Sequence, residues 1–239
     1  MTGEYVVGDA LDELAQLGDG SAKVVHLDDA WARPQRCGGM GVEYPTHDLE
    51  QSFAIVDECW RVLRPDGWLL ADADDWFHLK LANYLCDEYG NVAETYQGGG
   101  YRRSGAVVYQ RSDGGIDKGG AGMYLRNAGY HVVIGTKPDA EHVFEAARQF
   151  APRPPEEYGW HSVKPLEPYR VWVDALAEPG ELVVEPCAGT APASVAAEQT
   201  GAEWLAIDIE PEAKRAFERR LAAACGPQAT LGEVSARVE

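Results

Sequence analysis

The sequence predicts an α/β fold with a doubly wound, mostly parallel sheet, and two observations support this prediction. Short apolar runs that suit buried strands alternate along the chain with longer amphipathic segments that suit helices. Apolar residues make up 45% of the 239 residues, which is enough to bury a substantial core. The length suits one α/β domain, so we expect a single domain over residues 1–239.

The predicted elements follow one another in a regular order. Strands are expected at 5–7, 23–27, 68–72, 106–109, 131–135, 182–185 and 204–208. Helices are expected at 10–17, 48–63, 76–89, 166–176 and 211–224, and an Ala-rich helix should end near residue 200. The Arg-Pro-Asp-Gly sequence at 64–67 predicts a turn, and the nine glycines of 97–122 predict a mobile surface hairpin.

The charge of the chain is strongly acidic. The formal net charge is −18, and only six of the 21 basic residues are Lys. An acidic excess with scarce Lys favours a protein of a salt-rich cytoplasm, where ions screen the self-repulsion. Charge alone argues against nucleic-acid binding, which normally uses a basic surface.

Several classes of protein are disfavoured by simple counts. The five cysteines are odd in number and form no C-x-x-C pair, so we expect no disulfide framework and no metal site. No segment approaches the roughly 18 consecutive apolar residues of a membrane helix. The N-terminus lacks a basic region followed by an apolar run, so we expect a cytoplasmic protein without a signal peptide.

A strand, loop and helix near the C-terminus carry the clearest binding signal. The apolar run Leu182-Val-Val ends in Glu185, and Asp208 ends the next strand 23 residues later. An acid about 20 residues downstream is well placed for ribose hydroxyls. Gly189 is the only glycine between Glu185 and Thr200, so no phosphate cradle is indicated. The pattern favours a nucleoside without pyrophosphate over NAD or ATP, and a plain βαβ unit stays open.

A series of motifs resembles one family in one consistent order. The motifs are Gly8-Asp-Ala-Leu11, Asp28-Asp-Ala-Trp31, the segment 64–70, the segment 122–137, His161-Ser-Val-Lys164-Pro165, Glu185-Pro-Cys-Ala-Gly189-Thr190 and Ala206-Ile-Asp208. Together they resemble the DNA amino-methyltransferases of the β motif arrangement, which modify adenine N6 or cytosine N4. The resemblance implies a Rossmann-like fold of the S-adenosylmethionine-dependent methyltransferase type, with S-adenosyl-L-methionine as cofactor.

The resemblance also implies the residues that hold the cofactor. Asp9 would approach the adenine, Asp208 the ribose hydroxyls, and the loop after Glu185 the methionine and ribose. His161 and Lys164 belong to the segment that closes over the methionine end. The full implied set is Asp9, Ala10, His161, Lys164, Glu185, Cys187, Ala188, Gly189, Thr190 and Asp208.

The implied catalytic motif is Asp28, Asp29, Ala30 and Trp31, where the family has acid-Pro-Pro-aromatic. The Asp28 carboxylate and the Asp29 carbonyl would accept the N–H bonds of the base amine and free its lone pair. Trp31 would stack on the base after it leaves the duplex. Both prolines are replaced, by Asp29 and Ala30, so the loop loses the rigidity that proline confers.

The implied partner is double-stranded DNA, bound by a monomer or homodimer that belongs to a restriction-modification system or acts alone. Recognition would use the loops 32–47 and 95–130. The candidate DNA-binding residues are Arg33, Arg36, Arg102, Arg103 and Arg126. In molar salt the Debye length falls to about 3 Å, so such local cations can act despite the net charge.

Four functions stay open at this point. Adenine-N6 methylation is favoured, because an acid stands at position 28, over the cytosine-N4 alternative. An RNA, protein or small-molecule methyltransferase could use the same sheet. A catalytically weakened nucleic-acid-binding relic would explain the missing prolines.

Overall fold

The computed structural model describes residues 3–29, 48–117, 128–154, 158–160 and 162–226. The strands are β1 (Glu4–Val7), β2 (Ala22–Leu27), β3 (Leu63–Ala73), β4 (Gly100–Tyr109), β5 (Gly129–Thr136), β6 (Arg148–Ala151), β7 (Leu182–Pro186) and β8 (Glu203–Asp208). The helices are α1 (Ala10–Leu14), α2 (Leu49–Val62), α3 (Asp75–Tyr89), α4 (Val92–Thr95), α5 (Glu167–Leu176), α6 (Pro192–Thr200) and α7 (Pro211–Cys225).

The eight strands form one sheet in the order β1-β8-β7-β2-β3-β5-β4-β6. The first five strands of this order are parallel. Within the described ranges, β5 runs antiparallel to β3 and β4, and β6 is parallel to β4. The five parallel strands are β1, β8, β7, β2 and β3. Their C-terminal ends therefore lie along one edge of the sheet, which we call the carboxyl edge. In open α/β sheets this is the edge where ligands bind.

Helices cover both faces of the sheet, and the alternation of side chains along each strand explains how. Val24 of β2 packs in a cluster with residues of α5, α6 and α7. Val25, one residue later, packs in the opposite cluster with residues of α1, α2 and α3. Successive side chains of a strand point to opposite faces, so buried strands carry apolar residues on both. The predicted doubly wound, mostly parallel α/β sheet is confirmed.

The predicted surface hairpin at 97–122 is wrong where the structure describes it. Residues 100–109 form β4, which lies inside the sheet between β5 and β6. The glycines there allow close packing: a Cβ on Gly105 would lie 2.2 Å from the carbonyl oxygen of Ala147, and one on Gly129 would lie 1.8 Å from that of Val107. Glycine was therefore a signal of close backbone approach and not of mobility.

Three smaller differences concern element bounds. The predicted turn at 64–67 lies within β3, which begins at Leu63. The short helix α4 and the edge strand β6 were not predicted, because neither has an apolar run of the usual length.

Candidate active site

The carboxyl edge brings together acids that are far apart in the sequence. Val7 pairs with Asp208, so the residues after β1 lie beside the end of β8. Leu27 of β2 pairs with Ala71 of β3, so Asp28 lies beside Asp72. The cluster at this edge comprises Asp9, Asp28, Asp72, Glu185 and Asp208.

The loop between β7 and α6 has an unusual backbone. Cys187, Gly189 and Ala191 all have positive φ values, of 54°, 53° and 46°. A Cβ on Gly189 would lie 3.1 Å from Trp160 Nε1, so glycine also leaves room for this indole. Left-handed φ values cost an L-residue roughly 1–2 kcal/mol, so neighbouring contacts must hold this β7–α6 loop in place.

Hydrogen bonds from β1 and β8 hold the β7–α6 loop. The Gly189 amide donates to Asp208 Oδ2 at 2.7 Å, and Tyr5 donates from its hydroxyl to the Gly189 carbonyl at 2.8 Å. Ala188, which is buried, donates its amide to the Ile207 carbonyl at 2.8 Å. The Gly189 amide is thereby engaged within the protein.

Glu185 lies beneath the loop and is 1% exposed. Its carboxylate accepts from the Ser194 amide at 2.7 Å, the Ser194 hydroxyl at 2.8 Å and the Ala193 amide at 3.2 Å. It also lies 2.7 Å from His26 Nδ1. Glu185 thus satisfies the first amides of α6, where a negative charge is favoured.

Asp208 and Asp9 are the acids of this cluster that reach solvent on the β8 side. Asp208 Oδ1 accepts from the Glu210 amide at 2.9 Å, and its main-chain oxygen accepts from Gly8. Asp9 is exposed and caps α1 by accepting from the Leu11 amide at 2.9 Å. Ile209 next to Asp208 is 56% exposed, so a carboxylate and an apolar side chain lie side by side. Ala10 is buried in the start of α1.

Lys164 joins the two acids at the ends of β2 and β3. Its ammonium lies 2.9 Å from Asp28 Oδ1 and 3.0 Å from Asp72 Oδ2. Tyr169 donates its hydroxyl to the same Asp72 oxygen. The Asp72 side chain is fully buried, whereas that of Asp28 is 26% exposed. The predicted cofactor residue Lys164 therefore directs its ammonium to the predicted catalytic acid.

Burial and charge shift the pKa values of this cluster in opposite directions. Burial raises the pKa of Asp28, and the opposing effect of Lys164 does not outweigh it. For Asp72, Lys164 and His26 outweigh burial and hold the pKa of the carboxyl below its usual range. Burial would lower the pKa of Lys164, but the two carboxylates raise it above its ordinary value. Lys164 and Asp72 thus form a charged pair beside a more basic Asp28.

The side chain of Asp29 faces away from Asp28. Asp29 is 3% exposed, and its Oδ2 accepts from the hydroxyl of Ser52, a buried residue of α2. The Asp29 carboxylate therefore anchors the loop after β2 to α2, which covers the face of the sheet opposite to α5, α6 and α7.

Arg220 was not predicted, and it connects two predicted segments. This buried α7 residue donates to the Thr190 hydroxyl and to the Lys164 carbonyl, both at 2.8 Å. Asp72, Tyr169 and His26 were missed as well. A signal was available for His26, which is a polar residue within the apolar run Val24-Val-His-Leu27.

Arg102 and Arg103, two of the predicted DNA-binding residues, lie within β4. Arg103 pairs with Ile134 of β5, and Ile134 pairs with Leu70 of β3. Leu70 is two residues before Asp72, so Arg103 lies about 7 Å from the carboxyl edge, measured along the strands. The Arg102 guanidinium lies over the Trp68 ring, 5.7 Å from its centre. Both residues lie near the start of β4, which runs from Gly100 to Tyr109, and not at the carboxyl edge.

Other arginines follow the strand ends on this side. Tyr109, the last residue of β4, pairs with Ala151, the last residue of β6. Arg111 and Arg153 lie two residues after the ends of these strands and form ion pairs with Asp113 and Asp117. Arg153 also lies over the Tyr109 ring at 4.1 Å. The other predicted residues Ala30, Trp31, Arg33, Arg36, Arg126 and His161 lie outside the described residues, as does the loop 32–47.

Metal binding and membrane insertion find no support within the described part of the chain. No group of three or more His, Cys, Asp or Glu side chains among these residues is arranged to hold a metal ion. No helix among them has the length and hydropathy that a membrane span requires.

Comparisons with known proteins give matches in structure. No family model matches the chain, and no curated protein matches it. The PvuII DNA methyltransferase (cytosine-N4-specific) superposes with a TM-score of 0.66 at 15% identity, over 94% of this chain and 91% of that one. M1.HpyAVI in complex with S-adenosylmethionine gives a TM-score of 0.64 at 14% identity, over 92% and 99% of the two chains.

TTHA0409 of Thermus thermophilus, complexed with S-adenosyl-L-methionine, gives a TM-score of 0.62 at 16% identity, over 93% of this chain and 94% of that one. At such identities the similarity concerns the fold. The chain therefore has the Rossmann-like α/β fold of S-adenosylmethionine-dependent methyltransferases.

Proposed function

We propose that this chain is an S-adenosylmethionine-dependent DNA methyltransferase that methylates a base amino nitrogen, with adenine N6 favoured. The observation that carries the proposal is the position of Asp28. Asp28 follows the last residue of β2 at the carboxyl edge, and its carboxylate is partly exposed and is held by the buried Lys164. The similar structures support it, since one is a cytosine-N4 DNA methyltransferase and two hold S-adenosylmethionine.

The residues at the ends of β1 and β8 fit a nucleoside cofactor. Asp208 offers a carboxylate suited to ribose hydroxyls, and exposed Ile209 offers an apolar surface suited to a base. Asp9 lies beside them, since Gly8 bonds to Asp208. The bound cofactor would supply an electrophilic methyl group. The loop residues Cys187, Ala188, Gly189 and Thr190, with Ala10 and His161, complete the proposed site.

Glu185 and Lys164 act in this proposal as positioning residues. Glu185 is 1% exposed and bonds the first amides of α6, so it fixes the β7–α6 loop from beneath. Lys164 fixes Asp28 by its ammonium, and its carbonyl is bonded by Arg220. Neither side chain needs to contact the cofactor to affect its binding.

Asp28 and Asp29 act on the target amine. The amine donates one N–H to the Asp28 carboxylate and the other to the Asp29 carbonyl, which localises its lone pair for attack. The amine nitrogen would bond to the methyl carbon as the bond between that carbon and the sulfonium sulfur breaks, which would leave S-adenosylhomocysteine. The nitrogen would lose one proton, which Asp28 would accept and pass to water. The raised pKa of Asp28 suits this task, because a more basic carboxylate accepts hydrogen bonds more strongly. Trp31 would stack on the base.

The DNA would approach the carboxyl edge. We assign phosphate contacts there to Arg111 and Arg153, which follow β4 and β6, in addition to the predicted Arg33, Arg36 and Arg126. Phosphate contacts by arginine position a protein on the duplex without reading its sequence.

Cytosine N4 is the second candidate, because the same two acceptors suit either amine. The test is nucleoside mass spectrometry of double-stranded DNA incubated with the protein and S-adenosylmethionine at about 1 M salt. N6-methyladenine is the expected product; N4-methylcytosine would select the alternative. Asp28→Asn should abolish the product and leave cofactor binding nearly intact, whereas the control Asp87→Asn on the exposed part of α3 should change neither. Methylated RNA with unmodified DNA, or no product at all, would overturn the proposal.

A further inference from the structure

One buried histidine lies between the acids of the two halves of the site. His26 is 0% exposed, its Nδ1 lies 2.7 Å from Glu185 Oε1, and its Nε2 lies 3.5 Å from Asp72 Oδ2. The ring packs on Tyr169, with 4.5 Å between the ring centres. Because His26 is on the same face of β2 as Val24, it faces α5 and α6 and has no access to substrate.

Each of these two acids serves a different half of the site. Glu185 bonds Ser194 at the start of α6 and so holds the β7–α6 loop. Asp72 bonds Lys164, which in turn bonds Asp28. His26 therefore lies between the cofactor loop and the proposed catalytic carboxylate. It is hydrogen-bonded to Glu185 through Nδ1 and within ion-pair distance of Asp72 through Nε2, which makes no hydrogen bond among the described residues.

The charges of the buried cluster balance when His26 is a cation. Asp28, Asp72 and Glu185 face Lys164 and His26, and the charge of Arg220 also acts on Glu185. With the acids, Lys164 and Arg220 ionised, these six groups carry a net charge of 0 with His26 protonated and −1 with it neutral. Buried charges are tolerated when they are paired and hydrogen-bonded. Although burial acts to lower it, the pKa of His26 is raised to about 10 by Asp72 and Glu185.

The remaining groups around the cluster do not replace this cation. Tyr169 of α5 and Tyr130 of β5 have pKa values well above the ordinary range, mainly through burial, so both stay neutral. Arg220 of α7 donates to the Thr190 hydroxyl and the Lys164 carbonyl, and its charge acts on Glu185, whereas His26 lies between Glu185 and Asp72.

We propose that His26 acts as a buried imidazolium that positions both halves of the site, coupling the cofactor loop to the basicity of Asp28. The proposal rests on the proposed function for the roles of the loop and of Asp28. If the cation is lost, Asp72 and Glu185 are left with excess negative charge. Asp72 then draws Lys164 more strongly, and the proton affinity of Asp28 rises.

A matched pair of substitutions separates the two contacts of the ring. His26→Asn keeps a donor near the Nδ1 position that faces Glu185, and His26→Gln keeps one near the Nε2 position that faces Asp72. Tyr169→Phe is the control, since it removes a neutral donor from Asp72 and leaves the charge unchanged. Carbon-13 NMR of the Asp28 carboxyl gives its pKa in each protein without any need for DNA.

Both His26 variants should raise the pKa of Asp28 by about one unit, a tenfold change in proton affinity, and Tyr169→Phe should shift it less. The acidic limb of kcat against pH should move by the same amount. His26→Gln should also weaken S-adenosylmethionine binding about fivefold relative to His26→Asn, because it lacks the Glu185 contact. Shifts no larger than that of Tyr169→Phe would overturn the proposal.

The wild-type protein supplies a second measurement if the variants do not fold. Nitrogen-15 NMR should find both His26 ring nitrogens protonated at about pH 8. A neutral ring at that pH would overturn the proposal. A wild-type protein that leaves DNA unmethylated would instead refute the proposed function, while the two NMR measurements would still decide the role of His26.

Discussion

Ser52 of α2 donates its hydroxyl to Asp29, the residue that stands where the resembling family has its first proline. Both side chains are buried, so the bond joins the loop after β2 to the core. Proline restricts a loop through its fixed φ, and a buried hydrogen bond to a rigid helix restricts it through an anchor. The anchor offsets part of the rigidity lost with the proline and keeps the second carboxylate away from Asp28.

Ser52→Ala should lower kcat at least about tenfold and leave S-adenosylmethionine affinity within about twofold, because the loop that presents the Asp29 carbonyl is no longer anchored. It should also lower the free energy of unfolding by about 1–3 kcal/mol, since a buried carboxylate loses a donor. Denaturant unfolding and steady-state kinetics measure the two effects.

A double-mutant cycle gives the control for this pair. Adding Ser52→Ala to Asp29→Ala should cost little more than Asp29→Ala alone, with a coupling energy of about 1 kcal/mol or more. Strictly additive effects would show that the bond does not anchor the loop.

Substitution of Asp208 should mainly lower the affinity for S-adenosylmethionine, whereas substitution of Glu185 should mainly lower stability. Asp208→Asn should weaken S-adenosylmethionine binding about tenfold or more. It should lower stability less than Glu185→Gln does, because Asp208 is partly exposed although it accepts from the Gly189 and Glu210 amides. Glu185→Gln should mainly lower stability, because this buried carboxylate bonds Ser194 and His26. Calorimetry of binding and thermal unfolding compare the two variants. Equal losses of affinity at unchanged stability would contradict the positioning role of Glu185.

The sequence was sufficient to predict the sheet, because its strands are apolar runs ended by acids, as in Leu182-Val-Val-Glu185. It also placed Asp28 and Asp208 at strand ends, which a parallel sheet brings to one edge. It could not show that Lys164 turns to Asp28, or that Glu185 turns inward, because these directions depend on helices packed over the sheet. The surface hairpin predicted at 97–122 was wrong, because a glycine-rich strand resembles a hairpin when its packing partner is unknown.

Ala191 precedes α6 with a left-handed φ of 46°, at the position where the resembling family has its second glycine. Ala191→Gly should be close to neutral for stability, because relief of the backbone strain offsets the lost methyl group and the greater freedom of the unfolded chain. Ala196→Gly is the matched control, since Ala196 is equally buried and lies within α6. It should cost about 1–2 kcal/mol in denaturant unfolding. Equal losses at both positions would contradict the strain at Ala191.

Stability should fall in alkaline solution through His26. Its pKa rises from an ordinary 6.5 to about 10 in the folded protein, so protonation favours the folded state. The contribution is complete below the unfolded pKa of 6.5 and is lost as the pH rises through about 10. Denaturant unfolding across this range should show a decline that is absent in His26→Asn. A wild-type slope equal to that of the variant would refute the contribution.

The acidic surface should make both stability and DNA methylation depend on salt. A net charge of −18 repels itself and repels DNA, and only ions can screen it. The Debye length falls from about 10 Å at 0.1 M to about 3 Å at 1 M, so both repulsions should weaken over this interval. We therefore expect the melting temperature and the methylation rate to rise together with KCl up to the molar range. Methylation of a short duplex and thermal unfolding in the same KCl series measure this. Full activity at about 0.1 M with loss at about 2 M would contradict a halophilic protein, because ordinary DNA-binding proteins lose phosphate contacts as salt increases.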